Sequence, residues 1–329
     1  MLISVVIPTR HRNELLAKCL DRLAPGRQTL DASNYEVIVT DDGVETTAER
    51  MIRERYPWAR WFPARRLGPG ANRNSGATHA RGEWLAFTDD DCVPEPGWLA
   101  AFVAAAPDSD LLEGQTTCRV GIHSPLMEAP LNLNGGNLWS CNMMVRRDAF
   151  ERLAGFDEDF LLLGCEDLDF ATRAKRATLR IRFTPDAQVD HPPRMRPLGW
   201  QAGLRWQGRV MVWYKEGNLT PVWTWLPLHL LKLRISQILN YPLGMDSIRG
   251  LTSLAGEMFC VMAHLPSWER RYKNIRPGSP RRPLVSQSAE ASFCEAGEAE
   301  RSDRAGGLGA PRNELNTARS VRTDTPDDQ

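Results

Sequence analysis

Three consecutive aspartates, Asp89-Asp90-Asp91, close the apolar run Trp84-Leu85-Ala86-Phe87-Thr88, and Cys92-Val93-Pro94 stops it. Like charges this close repel unless a cation neutralises them. A divalent ion at the C-terminal edge of a sheet is the economical answer, because Mg²⁺ and Mn²⁺ favour oxygen ligands and share them with a substrate phosphate. One residue apart at a strand end, Asp89 and Asp91 are expected to point the same way while Asp90 points elsewhere. The plainer alternative is a turn or helix-capping cluster, where Asp is favoured.

Four further groups have side chains suited to such a site. Asp41-Asp42-Gly43 follows the run Tyr35–Thr40. A carboxylate there can accept from a base N–H or a ribose hydroxyl, with Gly43 free to turn, although an ordinary turn explains it equally. Gly68-Pro69-Gly70-Ala71-Asn72-Arg73-Asn74-Ser75-Gly76 is small enough for a ligand to approach a helix N-terminus, where phosphate is favoured; Arg73 adds a charged, planar donor fork. Glu166-Asp167 opens a helix, where acids complement the macrodipole; in a cleft, the same carboxylates can serve as a general base. Asp169 and Arg173, four residues apart, are expected to pair on the helix surface. His191, before Pro192-Pro193, is a metal ligand, a phosphate donor or a structural histidine.

The elements needed to hold these groups are legible in the hydrophobic pattern. Leu2–Ile7, Tyr35–Thr40, Trp58–Phe62 and Trp84–Thr88 read as strands; Asn13–Leu23, Thr46–Tyr56, Gly70–Ala80 and Gly97–Ala106 read as helices between and after them. That alternation predicts an α/β, Rossmann-like, mostly parallel sheet flanked by helices. Pro8-Thr9, Asp41-Asp42 and Asp89–Asp91 then share the carboxyl ends of the strands, where such sheets bind ligands. Further on, Leu111–Thr117, Leu138–Val145, Ile181–Phe183 and Gln188–His191 read as strands and Glu166–Ala177 as a helix. Gly199–Gly217 and Trp223–Leu265 read as mostly helical. The composition after about residue 276 predicts a disordered tail. The expected division is a catalytic domain over 1–195, with nucleotide binding in about 1–110, a helical extension over 196–275 and the tail over 276–329.

Bulk composition narrows the partners. The 329 residues carry 41 Lys and Arg against 41 Asp and Glu, so no global basic field points to nucleic acid. Seven cysteines without a CxxC pair fit a reducing compartment and argue against a zinc ribbon. The short apolar N-terminus lacks a basic lead and a small-residue cleavage site, and no run of about 18 uncharged apolar residues occurs. The expectation is a cytoplasmic enzyme.

Taken in order, Ser4-Val5-Val6-Ile7-Pro8-Thr9-Arg10, Val37-Ile38-Val39-Thr40-Asp41-Asp42-Gly43, Arg73-Asn74-Ser75-Gly76, Gly82-Glu83-Trp84-Leu85-Ala86-Phe87-Thr88-Asp89-Asp90-Asp91 and Gly164-Cys165-Glu166-Asp167-Leu168-Asp169-Phe170 resemble the inverting glycosyltransferases of family 2, which have a GT-A fold. The resemblance covers about residues 1–195. It implies a metal-dependent transfer from a nucleoside-diphosphate-sugar donor to a hydroxyl of a glycan or lipid-linked acceptor, as in polysaccharide or glycoconjugate synthesis. It implies Pro8, Thr9, Arg10, Asp41, Asp42, Arg73, Asp89 and Asp90 along the donor, and Asp89, Asp91 and His191 around Mn²⁺ or Mg²⁺. It implies Glu166-Asp167 as the base element, with Asp167 preferred. Val44 stands where a serine commonly follows the glycine.

Beyond residue 195 no family pattern applies. Trp206, Val210 and Trp213 share one helical face, with Arg205 and Arg209 beside it; Leu231, Ile235, Ile238 and Leu239 form another stripe, flanked by Lys232 and Arg234. The two readings are packing on the catalytic domain and peripheral contact, through 199–265, with the inner face of a membrane bearing a lipid-linked acceptor. Two other functions remain to be weighed. A sugar-phosphate nucleotidyltransferase needs a glycine-rich basic loop after the first strand, and Pro8-Thr9-Arg10-His11-Arg12 has no glycine. A non-catalytic nucleotide- or carbohydrate-binding scaffold does not need the complete acid set. The lack of GxGxxG after the first strand argues against an NAD-dependent dehydrogenase.

Overall fold

The computed structural model describes residues 1–45, 47–160 and 164–275. The expected disordered tail, 276–329, lies outside them, as do Thr46 and residues 161–163. The chain divides into two compact units, Met1–Leu284 and Val285–Gln329, and the second also lies outside the described residues.

In chain order the elements are β1 (Ile3–Thr9), α1 (Asn13–Leu23), β2 (Tyr35–Asp41), α2 (Glu49–Arg55), β3 (Ala59–Pro63), α3 (Pro69–His79), β4 (Trp84–Thr88), β5 (Val93–Pro94) and α4 (Trp98–Ala105). They continue with β6 (Leu111–Thr117), β7 (Met127–Glu128), β8 (Asn142–Arg146), α5 (Arg147–Arg152), α6 (Glu166–Arg176), β9 (Ile181–Asp190) and β10 (Arg194–Met195). The helical extension follows as α7 (Gly199–Leu204), α8 (Trp206–Lys215), α9 (Leu226–Leu239) and α10 (Met245–Tyr272).

The main sheet runs β3-β2-β1-β4-β8-β6-β9-β5. The first four strands are parallel, with Thr9 opposite Asp41 and Asp41 opposite Pro63. Their carboxyl ends therefore form one edge. β8 is antiparallel to β4, putting Asn142 opposite Thr88. This mostly parallel sheet flanked by helices, followed by a helical extension, is the fold class expected of the sequence.

β1 shows why the sheet is central. Val5 and Ile7 join a core with Leu16, Leu20, Trp98 and Phe102, whereas Val6 joins a second core with Phe87, Phe150, Phe156 and Phe170. Alternate side chains thus bury on opposite faces, as a doubly covered parallel strand requires. α3 lies close on β1 and β2 because it is built of small residues. A Cβ added at Gly76 would sit 2.3 Å from Val6 Cγ1, so only glycine lets the helix that carries Arg73 come this near.

Several boundaries differ from expectation. The expected pair of strands at 181–183 and 188–191 is one strand, β9. It pairs with β6 as Gly114 to Thr184 and then Gln115 to Gln188, so Pro185, Asp186 and Ala187 bulge out. A proline without an N–H cannot continue the ladder, which explains the apparent gap in the pattern. The strand expected from Leu138 begins only at Asn142, whose N–H turns back to Trp139 O at 3.1 Å. The two long helical stretches each split into two helices, α7 with α8 and α9 with α10.

Candidate active site

The aspartate triplet lies just beyond β4, not on it. Cys92 N–H donates to Asp89 O at 3.1 Å, closing a turn. Strand alternation therefore does not set the side-chain directions, and each acid finds a different partner. Asp89 accepts from Arg73 Nη2 at 2.5 Å. Asp90 is fully buried; it accepts from Thr9 Oγ1 at 2.7 Å and pairs with Arg12 Nη2 at 2.8 Å. Asp91 accepts from Arg12 Nη1 at 3.0 Å and faces His191 Nε2 at 3.3 Å. The resemblance implies Asp90 along the donor; its contacts in the fold are with Thr9 and Arg12.

The environments push these acids apart. Burial, chiefly, lifts the Asp90 pKa to about 7, although Arg12 and Thr9 pull against it. Burial also works to raise Asp89, but the charge and hydrogen bond of Arg73 outweigh it and hold Asp89 below the usual carboxylate value.

Arg73 is itself buried, and its other terminal nitrogen, Nη1, donates to Glu166 Oε1 at 3.0 Å. Its guanidinium lies 5.7 Å from the centre of the Phe156 ring. Burial opposes its charge, yet Asp89 and Glu166 hold its pKa above the usual arginine value. One side chain on α3 thus spans two segments far apart in sequence, the β4 end and the start of α6.

α6 opens from an unusual backbone. Cys165, its N-cap, has a φ of 73°, a left-handed conformation that a residue with a Cβ enters at a cost of about 1–3 kcal/mol. Glu166 and Asp167 then occupy the first helical turn, where the macrodipole favours their charge. Burial, and next the charge of Glu166, push the Asp167 pKa up to about 7. Its Oδ1 accepts from Leu168 N–H at 2.8 Å. The expected Asp169–Arg173 pair forms at 2.6 Å but is buried, not on the helix surface; Arg173 also donates to Leu153 O at 2.6 Å, tying α6 to α5's end.

At the β1 and β2 ends, Asp41 accepts from Gly43 N–H at 2.7 Å, Ala48 N–H at 2.6 Å and Trp61 Nε1 at 3.3 Å. Its carboxylate is committed to shaping its own loop. Asp42 uses Oδ1 for Arg66 N–H at 2.9 Å, and burial raises its pKa. Thr9 O accepts from Asp42 N–H at 2.9 Å and from Asn72 Nδ2 at 3.3 Å, while Arg10 is exposed beside them. Pro8 is buried in β1 opposite Thr40.

The donor set suits a hard divalent cation. Asp91 Oδ1 is buried without a hydrogen-bond donor. His191 Nδ1 lies 2.8 Å from Pro192 O, which assigns the ring proton to Nδ1 and leaves a lone pair on Nε2, facing that oxygen. Two acceptors turned toward each other call for a cation or a proton between them. Asp91, Cys92 and His191 bring possible donor atoms within 4.8 Å of one another; Asp89 is not part of that trio. Burial holds the Cys92 thiol far above its usual pKa, and a neutral thiol is a poor ligand for Mg²⁺ or Mn²⁺.

Arg12 is the residue that sequence reasoning missed. It neutralises Asp90 and Asp91 from the β1–α1 turn, and the signal was available: a buried acid triplet needs counter-charge, and Arg10-His11-Arg12 follows the neighbouring strand.

Fold and site define a transferase of the GT-A type, with acids gathered at the carboxyl edge of a nucleotide-binding sheet. Residues 4–116 match the profile of glycosyl transferase family 2, and residues 122–195 match the N-terminal domain of galactosyltransferase. The chain is a glycosyltransferase, and its residues 4–116 carry the family 2 domain. It is 27% identical over 230 residues to glycosyltransferase AglE of Haloferax volcanii, covering 64% of this chain and 74% of that protein. It is 28% identical over 226 residues to the pre-mycofactocin glycosyltransferase of Mycobacterium tuberculosis, covering 63% of this chain but 46% of that one. The crystal structure of S. aureus TarS shares the fold with a TM-score of 0.50 and 19% identity, over 83% of this chain and 44% of that chain.

Removing the Arg73 charge tests the joint. Arg73→Met leaves buried Glu166 and half-buried Asp89 without their counter-charge, which costs about 3–5 kcal/mol at neutral pH. Arg73 depresses the Asp89 pKa, so the stabilisation exists above the unfolded carboxylate value of about 3.9 and disappears as pH falls through the folded one. Urea unfolding should therefore show a deficit at pH 7 that narrows in acid. A loss under about 1 kcal/mol at pH 7 would show that the acids do not depend on Arg73.

Proposed function

We propose that the chain transfers a sugar from a nucleoside-diphosphate-sugar donor to a hydroxyl of a glycan or lipid-linked acceptor, with inversion at the anomeric carbon. The observation that carries this reading is the shared hydrogen bonding of Arg73 to Asp89 and Glu166, because it sets a diphosphate-side acid and the base element in one cleft. The nucleoside lies along Pro8, Thr9, Arg10 and Asp42, with Asp41 shaping the loop beside it. Arg73 and Asp89 face the diphosphate.

Asp91 and His191, with Asp89, would hold Mn²⁺ or Mg²⁺, which when bound supplies charge neutralisation for the leaving nucleoside diphosphate. Asp167 takes the proton of the acceptor hydroxyl. Its raised pKa suits it to hold that proton near neutral pH, and Glu166, engaged by Arg73, keeps it raised. The acceptor oxygen then attacks the anomeric carbon from the face opposite the leaving group, so configuration inverts without a covalent enzyme intermediate.

Calorimetric titration with UDP, GDP and dTDP, with and without Mn²⁺, tests the donor site. Binding of at least one is expected to strengthen with metal and to lose that gain in Asp91→Ala. No binding of any of the three with metal present sinks the proposal.

Asp167→Asn is expected to bind donor while transfer falls by about 10²–10⁴-fold. In the unsubstituted enzyme the base is protonated below its pKa, so the transfer rate should drop about tenfold per pH unit below a limb near pH 7. A rate that is flat across that limb rejects Asp167 as the base.

Peripheral membrane contact is a second reading, favoured by the extension's surface. Leu228, Leu231, Ile235 and Leu239 form an exposed stripe on α9, and Ile248, Leu251, Phe259 and Met262 form another on α10. Residues 196–275 hold ten Lys and Arg against four Asp and Glu, in a chain whose totals balance. No helix among the described residues is long and apolar enough to cross a membrane. Co-sedimentation should show binding to phosphatidylglycerol vesicles, weaker on phosphatidylcholine and relieved by salt. Equal recovery in the supernatant with both lipids removes this reading.

A further inference from the structure

Each aspartate of the triplet already has a guanidinium partner. Asp89 is held by Arg73 at 2.5 Å, Asp90 by Arg12 Nη2 at 2.8 Å and Asp91 by Arg12 Nη1 at 3.0 Å. The repulsion that would make three adjacent acids seize a cation is thus largely discharged by the chain itself. The two oxygens of Asp91 divide between two neighbours. Oδ2 accepts from Arg12, whereas Oδ1, buried and without a hydrogen-bond donor, faces His191 Nε2 at 3.3 Å. A metal ion held by Asp91 Oδ1 and His191 would therefore share one carboxylate with the Arg12 guanidinium.

We propose that Arg12 is a built-in competitor of the divalent metal, and that it makes metal binding depend on the donor's diphosphate; the inference rests on the metal-dependent reading above. Before the donor arrives, Arg12 neutralises Asp90 and Asp91 and keeps the site's hold on a free cation weak. The diphosphate brings negative charge of its own, and the metal then binds with it. The two arginines differ in their freedom to give way. The Arg12 side chain is 43% exposed and that of Arg73 is 4% exposed. Arg73 is packed in place between its two acids, while Arg12 can turn toward solvent or toward the diphosphate when a stronger cation takes Asp91.

Magnitudes decide between this role and its opposite, in which Arg12 helps the metal by aiming Asp91. At the dielectric of bulk water, a divalent ion about 6 Å from a unit positive charge loses about tenfold in affinity. A partly buried site screens less, so the penalty set by Arg12 is at least of that order. Aiming a carboxylate is worth less here, because the Asp91 side chain is only 9% exposed and its surroundings already limit where it can point. Removing the guanidinium should therefore tighten the metal. A positioning role predicts loosening, and a purely architectural role predicts no change, so the sign of the effect separates the three.

The test counts free Mn²⁺ by electron paramagnetic resonance, with and without UDP, GDP or dTDP, and involves no turnover. In the unsubstituted protein, Mn²⁺ alone is expected to bind at least tenfold more weakly than Mn²⁺ with the nucleotide that binds best. Arg12→Gln should tighten Mn²⁺ alone by about tenfold or more and shrink the nucleotide's effect by a similar factor. Arg12→Lys, which keeps the charge, should stay within about threefold of the unsubstituted protein. Equal or weaker Mn²⁺ binding in folded Arg12→Gln overturns the inference while leaving the donor reading intact. The unsubstituted protein can also overturn it without any variant, if Mn²⁺ alone binds as tightly as Mn²⁺ with nucleotide. Absence of Mn²⁺ binding with all three nucleotides removes the metal-dependent reading and this inference with it.

Discussion

A single guanidinium joins the acids beyond β4 to the acids that open α6. Arg73 is buried, fixed by α3, and donates to Asp89 on one side and Glu166 on the other. Without a cation at that point, the acids beyond β4 and those at the start of α6 would repel across a low-dielectric cleft. The requirement reaches back into the fold. Arg73 stands in place only because Gly76 lets α3 settle on Val6, and because Phe156 backs the guanidinium plane. A side chain at position 76 would push α3, and Arg73 with it, off β1.

The same arrangement drives the carboxylates to different acidities. Arg73 lowers Asp89 and so keeps it anionic; Asp167, one residue past Glu166 and without a guanidinium of its own, is raised to about 7 by burial and by the Glu166 charge. Such a split is what an electrostatic and a proton-accepting role in one site would require. Asp90 and Arg12 belong to the support. They anchor the turn to β1 through Thr9, leaving Asp91 oriented toward His191.

The strands and the order of the acids were legible in the sequence because both follow from short-range rules. Trp84–Thr88, Leu111–Thr117 and Asn13–Leu23 have the bounds their hydrophobic periods predict, and parallel strands place their carboxyl ends on one edge whatever the loops do. Partner choice was not legible. That Asp89 goes to Arg73 and Asp91 to Arg12 depends on where β4 stops, and the turn at Asp89–Cys92 cancels the alternation that a continued strand would impose. The Asp169–Arg173 pair shows the same limit. Its spacing was readable, but its burial depends on α5 and Leu153 packing over it. The three residues that bulge from β9 interrupted the pattern without ending the strand.

The extension, which matched no pattern, is held together by a buried charge. Glu257 on α10 is fully buried and accepts from Arg196 at 3.0 Å, Arg234 at 2.8 Å and Trp206 Nε1 at 2.7 Å. A buried carboxylate survives only with such a full set of donors, and satisfying it fixes α8, α9 and α10 relative to the residue that follows β10. Trp206 is both a donor in this cluster and a wall of a cleft that Leu168 on α6 also lines. The position of that wall is therefore set by the interior of the extension and not by the GT-A sheet.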